Sequence, residues 1–224
     1  MNKKVSWAII VVFISFSLIA SMGCRSKVKQ SGFLENYPTF EKGPRGGADL
    51  LYLKQGVDFG TYDKIMMDQV VFYFSKDSNY KGINSDELNK LSDAFHKAMV
   101  KELQDAYPFV QESGPGVLRI RPAITGVKAS KPVLNTISTV MPVGLALSIV
   151  KKGVTGTHMN VGEASMETEF LDSQTNDRVA VAIDKRSAAK YKVVKGMRKW
   201  GHAEDAFNYW AKRLRKFLDE AHGK

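Results

Sequence analysis

Few residues in this 224-residue chain are typed and spaced for chemistry. Glu163, Glu167 and Glu169 form an acidic run. Glu167 and Glu169 are two apart, so a strand puts them on one face. Arg119 and Arg121 share that spacing, and opposite charges pair across a sheet. Two carboxylates can also cleave a glycosidic bond, but that needs burial and a controlled separation. An exposed strand face supplies neither, so the pattern predicts a charge ladder. The four histidines are His96, His158, His202 and His222. His96 follows Phe95 at the margin of an apolar stripe, a structural or solvated position. His158 sits in a loop, Gly156-Thr157-His158-Met159, not far from Glu163, and is the one hook for a hydrolase. His202 and Glu204 open a helix, where dipole and capping account for them. His222 is in the tail. Asp172 and Asp177 bracket a turn and suit backbone hydrogen bonding. The sequence contains no His-Glu-x-x-His, Gly-x-Ser-x-Gly, Walker or Gly-x-Gly-x-x-Gly pattern. No catalytic residue, cofactor or metal site is expected.

The remaining reactive group is Cys24, the only cysteine. Met1-Asn2-Lys3-Lys4 precedes an uncharged run from Val5 to Gly23. Two lysines, an apolar stretch and a small residue before the break have the layout of a secretory signal peptide. Ala20-Ser21-Met22-Gly23-Cys24 resembles a bacterial lipobox, in which the thiol receives a diacylglycerol and the signal is cut just before it. Gly23 fits; Ser21, where leucine is usual, departs. Ser26 is not the aspartate that holds such proteins at the inner membrane, so the resemblance implies the outer membrane, facing the periplasm. The alternative is an uncleaved membrane helix, since about 20 apolar residues span a bilayer. Lys3 and Lys4 stay inside on either reading. The expected division is a signal peptide at 1–23, a lipidated tether at 24–30 and one domain at 31–224. An acylated Cys24 leaves no thiol for disulfides, catalysis or metal.

The 201 residues after position 23 carry 31 basic against 23 acidic side chains, a net +8. That length supports one sound core. A basic protein outside the cytoplasm can meet anionic lipid heads or acidic partners; nucleic acid is not expected there. Arg119, Arg121, Lys195, Arg198, Lys199 and Trp200 are candidates for one docking surface for acidic groups. Solvated surface charge is the alternative.

These residues need elements to hold them. Residues 31–60 carry scattered Gly and Pro with Phe33, Tyr37, Phe40, Tyr52 and Phe59. They read as an irregular segment lying over the core, because linkers lack that much apolar surface. Asp68 to Ser75 is β-branched and aromatic, a strand buried on both faces. Asn84 with Glu87 makes a capping box, and Leu88, Leu91, Phe95, Met99 and Leu103 form one helical stripe ending near Tyr107-Pro108. Phe109 to Glu112 reads as a short strand, and 113–116 as a turn. Residues 117–127 alternate, with Pro122 marking an edge or bulge. Residues 161–171 and Val179, Val181, Ile183 make the clearest hairpin. A helix from about Ala203 to Ala221 buries Phe207, Trp210, Leu214, Phe217 and Leu218. The order β-α-β-β-β-β-α predicts an α+β two-layer sandwich: four to five antiparallel strands with two helices on one face.

Residues 133–150 carry no charge. Asn135, Thr136, Ser138, Thr139, Pro142 and Ser148 dilute them for a membrane span. A buried excursion and an exposed surface that meets a membrane or partner both remain open.

Several segments together resemble a bacterial lipoprotein family known only as domain of unknown function 3313. They are Ser31-Gly32-Phe33-Leu34 with Tyr37, Gly114 to Arg121 with Ala123-Ile124-Thr125, Val161-Gly162-Glu163-Ala164 leading to Phe170-Leu171-Asp172-Ser173, and Trp210 to Leu214. The likeness implies a membrane-attached envelope protein and supplies no site residues. The expected function is therefore a non-enzymatic, lipid-anchored binding or assembly module for an envelope protein, lipid or glycan. The alternative is a periplasmic hydrolase with an unrecognised site.

Overall fold

The computed structural model describes residues 30–74, 83–128, 163–187 and 199–224. Cys24, His158, Lys195, Arg198 and the stretch 133–150 lie outside them.

Seven strands form one sheet among the described residues: β1 (Glu41–Lys42), β2 (Leu50–Leu53), β3 (Lys64–Met67), β4 (Val71–Phe72), β5 (Val117–Lys128), β6 (Glu163–Asp172) and β7 (Arg178–Ser187). Two helices, α1 (Ser85–Leu103) and α2 (Gly201–Ala221), cover one face. The order across the sheet is β1-β2-β7-β6-β5-β3, with β4 also on β5. The class is α+β as expected, with more strands.

The sheet is mixed, not antiparallel. β3 and β4 run parallel to β5. The cause is α1, which lies between them in the chain. A helical crossover returns the chain to its starting end, so the next strand runs in the same direction. Of the expected strand at 68–75 only β4 forms among the described residues, with alternating burial rather than burial on both faces; β3, which was not expected, precedes it and ends opposite Ile120, and β4 begins opposite Ala123. Pro122 lies at the break. Ile120 and Ile124 accept from Asp68 N (2.9 Å) and Tyr73 N (2.8 Å) on that side. Pro122 has the same parity, so its missing N–H falls where the ladder is interrupted. Phe109 makes an isolated parallel bridge with Ile65 rather than a strand.

The Asn84 side chain caps α1 by accepting from Glu87 N at 2.9 Å. The Glu87 carboxylate does not close a capping box; it takes Lys199 at 2.5 Å and Trp200 Nε1 at 3.4 Å, at the head of α2. The predicted stripe of α1 is buried throughout, and the helix stops at Leu103. Phe95 meets Phe207 of α2 edge to face, 5.5 Å between ring centres. At the other end the Tyr107 hydroxyl donates to Asp219 (2.8 Å), which Arg215 also holds.

The second face is also covered. Leu34 packs with Val181 and Ile183, flanked by Phe33, Tyr37, Phe40, Leu50 and Tyr52. Residues 31–40 therefore cover part of the outer face, over Val181 and Ile183, as their aromatic content predicted, whereas β1 and β2, from the rest of the stretch expected to be irregular, join the sheet. Val181 and Ile183 were expected to align with Val179. A register shift between Phe170 and Leu171 leaves Val179 as an extra residue on β7. Such a bulge reverses the facing of all that follows. Val179 joins the helix-side core, while Val181 and Ile183 face outward. Ala180, Ala182, Asp184 and Arg186 then look toward the helices.

Candidate functional site

That reversal makes a cavity. Helices pack about 8–10 Å apart and strands about 4.8 Å, so two helices cover about four strands. This sheet is six strands across. Beneath the edge of α2, small Ala180 and Ala182 leave space that no helix fills. The result is a cavity of about 130 Å³, walled by hydrocarbon from Leu51, Leu118, Ile120, Met166, Phe170 and Phe217. Leu53, the exposed large hydrophobic among the described residues, stands on its lining at 40% exposure.

The loop 43–49 roofs it, with Pro44, Gly47 and Ala48 on the lining. Four hydrogen bonds hold this roof. Arg186 Nη2 donates to Gly47 O at 2.7 Å. The Tyr209 hydroxyl donates to Gly46 O. Asp49 N donates to Asp184 Oδ1 and Lys185 N to Asp49 Oδ2, each at 3.1 Å. Gly46 has φ +75°, in the left-handed region that glycine adopts without strain.

Asp184 is the hub, only 2% exposed. It pairs with Arg186 and accepts from Trp210 Nε1 at 2.6 Å. Burial raises its carboxyl above the usual range, against the Arg186 and Trp210 donors. The Arg186 guanidinium lies 4.0 Å from the centre of the Tyr209 ring, a cation–π contact. Two polar atoms of the lining lack a partner: Thr168 Oγ1 and Arg213 Nε. This set was missed in the sequence. No role was read for Asp184 or Arg186. The available signal was the alternate row Ala180, Ala182, Asp184, Arg186, small and then charged on one face.

The expected charge ladder is partly in place on the outer face. Arg121 lies opposite Glu169 in the register and bonds it at 2.6 Å. Arg178 holds the other Glu169 oxygen at 2.6 Å. Arg119 turns instead to Asp68, a bidentate pair at 2.9 and 2.8 Å. Glu167 departs from the ladder altogether. It is fully buried, accepting from Ser31 N at 2.5 Å and the Tyr37 hydroxyl at 2.7 Å. The strand face was read as exposed; the 30–40 segment covers it. Burial raises the Glu167 carboxyl despite those donors, and burial with the Glu167 contact pushes Tyr37 up to about 12.

A raised carboxyl pKa means that the folded chain holds the proton more tightly than the unfolded one. This contribution is present below the unfolded value, near pH 4, and is lost as pH climbs through the folded value. Glu167→Gln removes that loss while its carbonyl still accepts a hydrogen bond. The variant should therefore gain on the parent as pH rises, measured as urea midpoints across pH 4–8. Parallel profiles would contradict this.

The candidate basic residues do not form one patch among the described residues. Arg119 and Arg121 lie on the outer face. Lys199 and Trp200 sit at the head of α2 in the helix layer, with Lys199 paired to Glu87. His96 and Phe109 are edge to face, His202 is buried, and the His222 ring lies tilted beside Tyr107. Glu163, the neighbour sought for His158, pairs with Lys185 at 2.7 Å.

One mixed sheet, covered by a helix pair on one side and in part by residues 31–40 on the other, with an apolar cavity under a short loop, defines a small α+β domain. The chain belongs to the family described as "Protein of unknown function (DUF3313)", whose model matches residues 29–214. It is 32% identical over 179 residues to "Uncharacterized lipoprotein YdcL" of Escherichia coli K12, covering 74% of this chain and 76% of that protein. The O157:H7 counterpart matches equally. Among solved structures, a "PelC L103M dodecamer" from Paraburkholderia phytofirmans covers 74% of this chain and 95% of its own, at 10% identity and TM-score 0.40. Hypothetical protein CT253 from Chlamydia trachomatis covers 70% and 98%, at 13% identity and TM-score 0.40.

Proposed function

We propose that this chain is a lipid-anchored protein of the bacterial cell envelope, acting as a non-enzymatic binding module. Residues 1–23 are the signal, Cys24 takes the lipid, and residues 24–30 tether the domain to the outer membrane, facing the periplasm. The lipobox-like sequence and the lipoprotein name of the Escherichia coli relative support the anchor. Two or more acyl chains hold a protein stably where one does not. The observation that carries the binding half is the roofed, hydrocarbon-lined cavity. The outer-face pair Arg119 and Arg121, and Lys199–Trp200 with Lys195 and Arg198, are proposed as separate contact points for acidic groups of an envelope partner. Residues 133–150 are a further proposed contact.

Mass spectrometry of the mature N-terminus tests the anchor. A peptide beginning at acylated Cys24 is expected. Retained Met1 or a bare thiol overturns the reading. Crosslinking in cells tests the module: a defined adduct is expected, absent from an unrelated domain on the same anchor. Equal capture by both counts against it.

A further inference from the structure

We infer that the cavity under the 43–49 loop holds a single alkyl chain of a carboxylated amphiphile, with the acid at Arg213. This rests on the binding-module reading and gives it a ligand class. The walls are the first argument. The described lining is hydrocarbon except for Thr168, Asp184, Arg186, Tyr209, Arg213, the Trp210 N–H and backbone. A polar guest would lose its water without replacement hydrogen bonds. An apolar cavity of about 150 Å³ accepts a benzene-sized guest. At about 130 Å³ this one takes a segment of one chain and not two side by side.

The polar groups are the second argument. Thr168 is 3% exposed, and its hydroxyl has no partner. Arg213 Nε is buried and also unpartnered. Buried donors are rarely left unmet. A ligand ending in an oxygen acid supplies acceptors to a lining whose own groups leave two donors without any. The charges are the third argument. Asp184 is already neutralised by Arg186. Among the described residues no carboxylate pairs with Arg213. The uncompensated charge on the lining is therefore positive, and guanidinium binds carboxylate with strong, directed hydrogen bonds. The 43–49 loop, held by Tyr209 and Arg186, lies over the chain.

The test uses the full-length protein purified from its membranes and reconstituted in phosphatidylcholine vesicles. Three photoreactive probes carry a diazirine on the same chain: myristic acid, myristyl alcohol and an acyl chain of phosphatidylglycerol. Crosslinked peptides are mapped by mass spectrometry. The acid should label the lining of β7 and α2, and unlabelled myristic acid should compete. Loss of a charged hydrogen bond corresponds to roughly ten-fold weaker binding. Labelling by the alcohol should fall by about that factor, and Arg213→Gln should bring the acid down to the level of the alcohol. Ala182→Phe, which fills the floor, should abolish lining adducts. Should either variant fail to fold, competition on the parent protein decides. Label spread over the surface and unmoved by competitor overturns the proposal. So does equal labelling by phosphatidylglycerol, which would make a membrane phospholipid the occupant. Vesicle flotation of the same samples keeps the anchor and this inference apart, and the crosslinking in cells tests the binding module separately. Lining adducts on protein that does not float sink the anchor alone; floating protein without lining adducts sinks this inference alone.

Discussion

Asp184→Ala is expected to destabilise the fold by about 3–5 kcal/mol, the cost of breaking a buried ion pair from one side. Three groups lose their acceptor at once: Arg186, Trp210 Nε1 and Asp49 N. The Arg186 guanidinium stays enclosed without the Asp184 carboxylate. Asp184→Asn keeps an acceptor for Trp210 and should cost less. Urea denaturation of the three proteins measures the difference. Hydrogen exchange locates it: protection at Lys185 N and Asp49 N should fall in both variants and most in the alanine one. A loss under about 1 kcal/mol, the level of a single ordinary hydrogen bond, would deny Asp184 the role of hub.

Phe207→Ala should cost about 3–5 kcal/mol, from lost transfer free energy and the void left behind. Phe207 is fully buried and faces both Phe95 and Trp210, with ring centres 5.5 and 5.9 Å away. It therefore joins α1 to α2 and sits beside the residue that holds Asp184. Phe207→Leu retains most of the volume and should lose much less. Denaturant midpoints with unchanged slope would show a stability change alone. Equal midpoints for parent and alanine variant would mean that the helix pair does not depend on this contact.

The helices were legible because a 3.6-residue period needs no partner to be seen. Leu88, Leu91, Phe95, Met99 and Leu103 fall on one stripe, and α1 buries each of them. The β6–β7 hairpin was legible for a similar reason: alternation is local, and the turn residues between Asp172 and Asp177 bond the Asp172 carboxylate. Strand direction was not legible, because it depends on where α1 returns the chain. The bulge at Val179 was not legible either. One extra residue leaves the pattern of Val179, Val181 and Ile183 intact while turning two of them to the other face. The candidate site depends on that turn, so its residues were missed with it. Glu167 was misread because its covering comes from Ser31 and Tyr37, more than a hundred residues away.

The Ser31–Glu167 bond fixes where the chain leaves the sheet: on the side opposite the helices. With a lipid on Cys24, seven residues separate the bilayer from that fastening, and extended chain spans at most about 3.6 Å per residue. The domain would then ride within roughly 25 Å of the lipid. So short a leash would confine it to a thin slab, concentrating it for targets in the same leaflet and removing it from those across the gap.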